Sequence, residues 1–265
     1  MKLRPILTTF LLGAAALGAS LSSASAVMTY NTGDLFLGFR GEGDAQNYLV
    51  NIGNVSQFAN LGPGAKITVT TGGNIRLDLV EAFGSDWHSR SDVYWGVIGT
   101  TFVDNTTPAV IYASKQRSNP AIPSTPWIGG SPSGQIEKAS LVQELIFKYV
   151  QDGTATANSS KATFQNASSE NSWADLTSDI SDFRVGGSIE GYFSLETGTS
   201  NSVLDLYQIN PGYGQPAKLL GSFTIDDNGV ITFTAVPEPA TLAMLALAGL
   251  VLAFVVNRRP RSRKF

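Results

Sequence analysis

The chain has 265 residues, 43% of them apolar and 15% charged, with no cysteine and a single histidine. Disulfides, thiolate metal sites and a cysteine nucleophile are therefore excluded, and a histidine-based zinc centre lacks its ligands. The net charge of −3 hides an asymmetry, because positions 27–239 hold 11 basic and 21 acidic residues, a net of −10. Such an acidic exterior disfavours nucleic acid as a partner.

The first 26 residues read MKLRPILTTFLLGAAALGASLSSASA. Lys2 and Arg4 precede a mostly apolar stretch from Ile6 to Ala19, and Ala24-Ser25-Ala26 closes it with small residues. This order predicts a signal peptide over 1–26, cut by signal peptidase after Ala26. The mature chain then begins at Val27, on the far side of the inner membrane.

Residues 27–235 form the body, rich in glycine, serine, threonine and asparagine. Asp34–Phe39 and Asn47–Ile52 are apolar runs bounded by glycine turns and read as strands. Lys66–Thr71 alternates Ile67 and Val69 with threonines, as a half-buried strand does. Ile75–Phe83 fits both a strand and a helix period, and Asn74 as a cap favours a short helix. Val93–Phe102 and Ala109–Ala113 read as two strands. Lys115–Gly134 reads as a loop, and Gln135–Val150 as a helix with Leu141, Val142 and Leu145 towards the core. Asp152–Ser160 is polar and reads as mobile, and Trp173–Ile180 as a short helix. Strands follow at Ser188–Leu195, Val203–Ile209, Lys218–Ile225 and Val230–Ala235. Asp226-Asp227-Asn228-Gly229 makes the last hairpin turn.

No residue of the body stands out as catalytic. Ser85, Asp86 and His88 crowd one short segment, whereas a triad converges from separate elements, and no Gly-x-Ser-x-Gly elbow is present. Asp226–Gly229 offers oxygens suited to calcium but lacks the spaced ligands of a calcium loop. No carboxylate pair is singled out for glycoside hydrolysis. Cofactor and metal sites are accordingly not expected. Trp87, Trp95 and Trp173 read as core residues. Trp127, in the Pro126–Gly130 loop, is the one candidate for stacking on a sugar, although a core position is the safer reading for it too.

The C-terminus, 236–265, has three parts. Pro237-Glu238-Pro239 makes an extended stalk, because neither proline can donate a backbone bond. Ala240–Val256 carries no charge over 17 residues, long enough at about 1.5 Å per residue to cross a thin bilayer as a helix. Arg258, Arg259, Arg261, Arg263 and Lys264 then hold the tail in the cytoplasm, with Pro260 and Ser262 interrupting the run. Together these parts resemble the PEP-CTERM sorting signal of exopolysaccharide-producing Gram-negative bacteria. That resemblance implies processing by exosortase, a membrane-embedded transpeptidase-like enzyme, near Pro237-Glu238-Pro239. More loosely, Gly33–Arg40, Gly84–Trp87, Asp92–Val97 and Leu219–Ala235 resemble bodies found in PEP-CTERM proteins, which bring no established activity with them.

The expected fold is mainly β, an antiparallel sandwich or jelly roll with one or two short helices, plus the transmembrane helix at 240–256. The expected function is that of a non-enzymatic surface or matrix protein associated with exopolysaccharide or biofilm. A carbohydrate-binding module and a secreted glycoside hydrolase are the alternatives.

Overall fold

The computed structural model describes residues 28–104, 108–156, 158–159, 161–170, 172–178, 196–197 and 202–236. In chain order these form β1 (Asp34–Gly41), β2 (Gln46–Asn54), α1 (Ser56–Ala59), β3 (Lys66–Thr68), α2 (Ile75–Phe83), β4 (Val93–Thr100) and β5 (Ile111–Gln116). There follow α3 (Pro132–Asp152), β6 (Thr154–Ala155), β7 (Ala162–Asn166), α4 (Trp173–Ser178), β8 (Glu196–Thr197), β9 (Leu204–Ile209), β10 (Lys218–Ile225) and β11 (Ile231–Ala235). A 3-10 turn, Trp87–Ser89, leads into β4.

The strands join one sheet in the order β3-β11-β10-β9-β5-β4-β1-β2-β7-β6, with β8 pairing alongside β4. The pairings are antiparallel throughout. The fold is thus mainly β and antiparallel, as the strand pattern predicts. The expected two-sheet sandwich is corrected: β4 pairs with both β1 and β5, so the two halves are continuous in a single curled sheet. What covers the second face is helical.

Side-chain alternation sorts the core into two layers. The inner layer takes Leu35, Leu37, Phe39, Tyr48, Val50, Trp95, Val97, Leu204, Leu206, Phe223 and Phe233, with Phe58 of α1 and Leu79 and Phe83 of α2 filling the curl. The outer layer takes Phe36, Leu49, Ile98, Ile111, Tyr207 and Ile209 under Ala139, Val142, Leu145 and Ile146 of α3 and Trp173 of α4. Phe58 meets Phe223 and Phe233 at centroid separations of 5.4 and 5.1 Å, which ties the region after β2 to the opposite end of the sheet.

Local chemistry explains the elements. The Asn74 side chain accepts from the Leu77 N–H at 3.2 Å, the cap that settles Ile75–Phe83 as a helix. In the last hairpin, Asp226 Oδ1 accepts from the Asn228 and Val230 amides, and Gly229 holds φ +72°. The helix read at Gln135–Val150 lies within α3, whose buried stripe runs through Gln135, Lys138, Ala139, Val142, Leu145 and Ile146. Leu141 is only half-buried.

Three readings need correction. Lys66–Thr71 forms a strand over its first three residues alone. The segment read as mobile after Asp152 contains β6, and Thr156 and Ser159 are buried in a hydrogen-bonded cluster. Ala162–Asn166, which drew no assignment, is β7. The strand read at Ser188–Leu195, the signal peptide and the helix read at Ala240–Val256 lie outside the described residues.

Candidate functional site

The last strand decides how the body meets its C-terminal segment. Ile231, Phe233 and Ala235 point inward, while Thr232 and Thr234 face out. β11 is bonded on both edges, to β10 through Gly221↔Ala235 and to β3 through Thr234↔Lys66. A side chain at Gly221 would stand 2.3 Å from the Phe233 ring, so glycine is what lets β10 lie this close. Beyond β3 the clamp continues. The Ala235 amide donates to the Ala65 carbonyl at 2.9 Å, and the Gly64 amide donates to the Ala235 carbonyl at 3.0 Å. The Val236 amide donates to the Leu220 carbonyl at 3.4 Å. Pro237 follows and has no N–H with which to extend the ladder. The body is therefore hydrogen-bonded up to the residue before the Pro-Glu-Pro triplet.

The residues proposed for sorting, Pro237, Glu238, Pro239, Arg258, Arg259, Arg261, Arg263 and Lys264, lie outside the described residues, as do Ala24 and Ala26. No helix among the described residues is long and apolar enough to cross a membrane. Trp127 is described, and it takes the core position that is the safer reading of its sequence, not the sugar-stacking one. The ring is 2% exposed, packed in the outer layer with the Lys115 ammonium 4.2 Å from its centroid. Backbone bonding explains this burial: the Ala217 amide donates to the Trp127 carbonyl at 2.7 Å, drawing the loop onto the chain that enters β10. Trp87, Trp95 and Trp173 are buried as expected. His88 Nδ1 lies 3.8 Å from the Asp227 carboxylate, while Ser89 Oγ donates to the Asp86 carbonyl. The Ser–Asp–His segment is thus engaged in turn and pairing contacts.

Three polar clusters escaped sequence reasoning. The first fastens the loop after β5. Asp205, fully buried, pairs with Arg117 at 2.7 Å and accepts from the Ser124 amide at 2.6 Å and its hydroxyl at 2.9 Å. The Tyr207 hydroxyl donates to the Ser124 carbonyl, and burial raises its pKa. The second lies beneath α2, where Asp78 accepts from the Thr156 hydroxyl at 3.0 Å and the Asn158 amide at 2.8 Å. Burial first and the Asp78 charge second push the nearby Tyr48 phenol well above its ordinary value. In the third, Arg90 bridges Asp92 at 2.8 Å and Asp44 at 2.9 Å, its hydrogen bond to Asp92 holding that carboxyl below the usual range. The only early signal was an acid inside an apolar strand, Leu204-Asp205-Leu206. Its partner is 88 positions away.

Each cluster joins distant segments, which is a structural task. Among the described residues, no group of three or more His, Cys, Asp or Glu side chains could hold a metal ion. Open grooves of about 430 and 500 Å³ flank the Asp226–Gly229 turn, lined by Thr224, Asp227, Thr232, Thr68 and Asn74.

No curated protein and no solved structure matches the chain. A match exists where the clamp ends: residues 235–261, beginning at the final residue of β11, are a PEP-CTERM protein-sorting motif, so the chain carries the signal of an exosortase-sorted exported protein.

Proposed function

We propose that this protein is exported as a membrane-anchored precursor and moved by exosortase to the cell surface or extracellular matrix. There it has a non-enzymatic, structural or interaction role associated with exopolysaccharide or biofilm. The observation that carries the reading is the junction itself, a sorting motif that begins on a strand bonded along both edges. A cut beyond Val236 removes no backbone hydrogen bond of the described body, so the released product keeps its fold. The buried acids Asp78 and Asp205 hold loops, and Trp127 is not a surface platform, so neither the hydrolase nor the sugar-stacking alternative gains support.

The test is fractionation of the producing cells with and without exosortase. The reading expects the body in the surface or matrix fraction when the enzyme is present. It expects uncleaved precursor in the inner membrane when the enzyme is deleted, or when Pro237-Glu238-Pro239 becomes Ala-Ala-Ala. An unchanged distribution in both cases would overturn it.

A further inference from the structure

Both ends of the described body lie on one rim of the sheet. The hydrogen-bond register shows this strand by strand. β11 ends beside the start of β10 (Ala235↔Gly221), β9 ends beside that start (Gln208↔Lys218), and β5 starts beside the end of β9 (Ile111↔Ile209). β4 ends beside the start of β5 (Thr100↔Ile111), and β1 starts beside the end of β4 (Leu35↔Gly99). Met28–Gly33, upstream of β1, and Val236, downstream of β11, therefore share this rim. The residues from α1 to Ala65 cross it, with Phe58 plugging the curl and Ala65 bonded to Ala235.

The reach of the tether is fixed by covalent geometry. Four residue steps separate Val236, bonded to Leu220, from Ala240, where the apolar run begins, a span of at most about 14 Å. A body of this length has a radius of gyration of roughly 17 Å, so the tether is too short for it to turn over. Charge acts in the same direction. The far rim carries Glu42, Asp44, Glu81, Asp86, Asp92, Asp226 and Asp227 against Arg40, Arg76 and Arg90, with Arg117 there neutralised by buried Asp205. The near rim exposes Lys66, Lys161 and Lys218 against Asp104 and Glu137. An anionic headgroup layer repels the first and tolerates the second within a Debye length of about 10 Å.

We infer that in the anchored precursor the rim built from Leu61–Ala65, Lys66 and Lys218 lies against the lipid surface, pinning Pro237-Glu238-Pro239 between body and bilayer. This inference rests on the anchor reading proposed above. It makes the near rim a membrane-docking surface until processing, and directs the acidic rim outward.

The chain lacks cysteine, so single-cysteine labelling is clean. Gly62→Cys marks the near rim, where an added Cβ meets nothing within 4 Å, and Asn228→Cys marks the far hairpin. Each full-length precursor is labelled with a fluorophore and reconstituted into phosphatidylethanolamine–phosphatidylglycerol vesicles containing a headgroup-attached quencher. The label at position 62 is expected to be quenched several-fold more than that at 228. A flexible Gly/Ser insert of about 20 residues after Val236 should bring the two together. Equal quenching without the insert, in protein that floats with the vesicles, overturns the docking and leaves the anchor intact. Failure to float overturns the anchor, and the inference with it.

Discussion

On the inner face of the sheet, Phe58, Phe223 and Phe233 meet ring to ring, and the surrounding side chains are nearly all apolar. On the outer face, α3 buries Gln135 and Lys138 beside its alanine and valine, and β2 buries Asn47 with neither amide atom hydrogen-bonded. The difference teaches where stability resides. The phenylalanine triad gains from apolar burial, whereas the outer layer at Asn47 carries a desolvated amide that costs free energy, as the Tyr48 hydroxyl does elsewhere on the inner face. The strand on which the sorting motif begins belongs to the inner core, so the aromatic cluster lies next to the start of the signal.

Substitutions on the two faces should therefore diverge. Phe233→Ala removes a fully buried ring at the centre of the aromatic triad and should cost about 3–5 kcal/mol in denaturant unfolding of the processed body. A loss no greater than that of a surface substitution would break the contrast. Asn47→Leu on the outer face should act in the opposite direction, gaining about 2 kcal/mol by removing an orphaned buried amide. The last effect, the smallest per pH unit, concerns Lys138, 1% exposed, whose pKa burial pushes down from 10.5 to about 8. Between those values the unfolded chain binds the extra proton, so stability should rise with pH by at most about 1.4 kcal/mol per unit. Lys138→Met should flatten that rise, as measured by unfolding titrations across the same range.

The long strands were legible because the pattern was local, although ends shifted, as where Ala109–Ala113 became Ile111–Gln116. Ile231, Phe233 and Ala235 alternate with threonines, and Asp226–Gly229 is a turn by composition. The layer architecture was less so. Leu35-Phe36-Leu37 announces burial on both faces of β1, but a run of that kind does not say whether a helix or a second sheet covers it. The segment after Asp152 misled because its threonine and serine look solvated. Thr156 is buried through Asp78, and Ser159 through the Thr71 carbonyl, both far away in the chain. Trp127 was open for a related reason: its apolar ring favours the core, its proline- and glycine-rich surroundings allow exposure, and the Ala217 contact that holds the loop down is 90 positions distant. The sorting motif was readable because its three parts are contiguous and act through hydropathy and charge alone.

The central claim is that sorting removes the signal and leaves the sheet whole. The intact mass of the body recovered from exosortase-competent cells tests this most directly. The account predicts a new C-terminus at or beyond Val236, with β11 complete. A terminus within Ile231–Ala235, or a mature protein that still contains Arg258–Lys264, would contradict it.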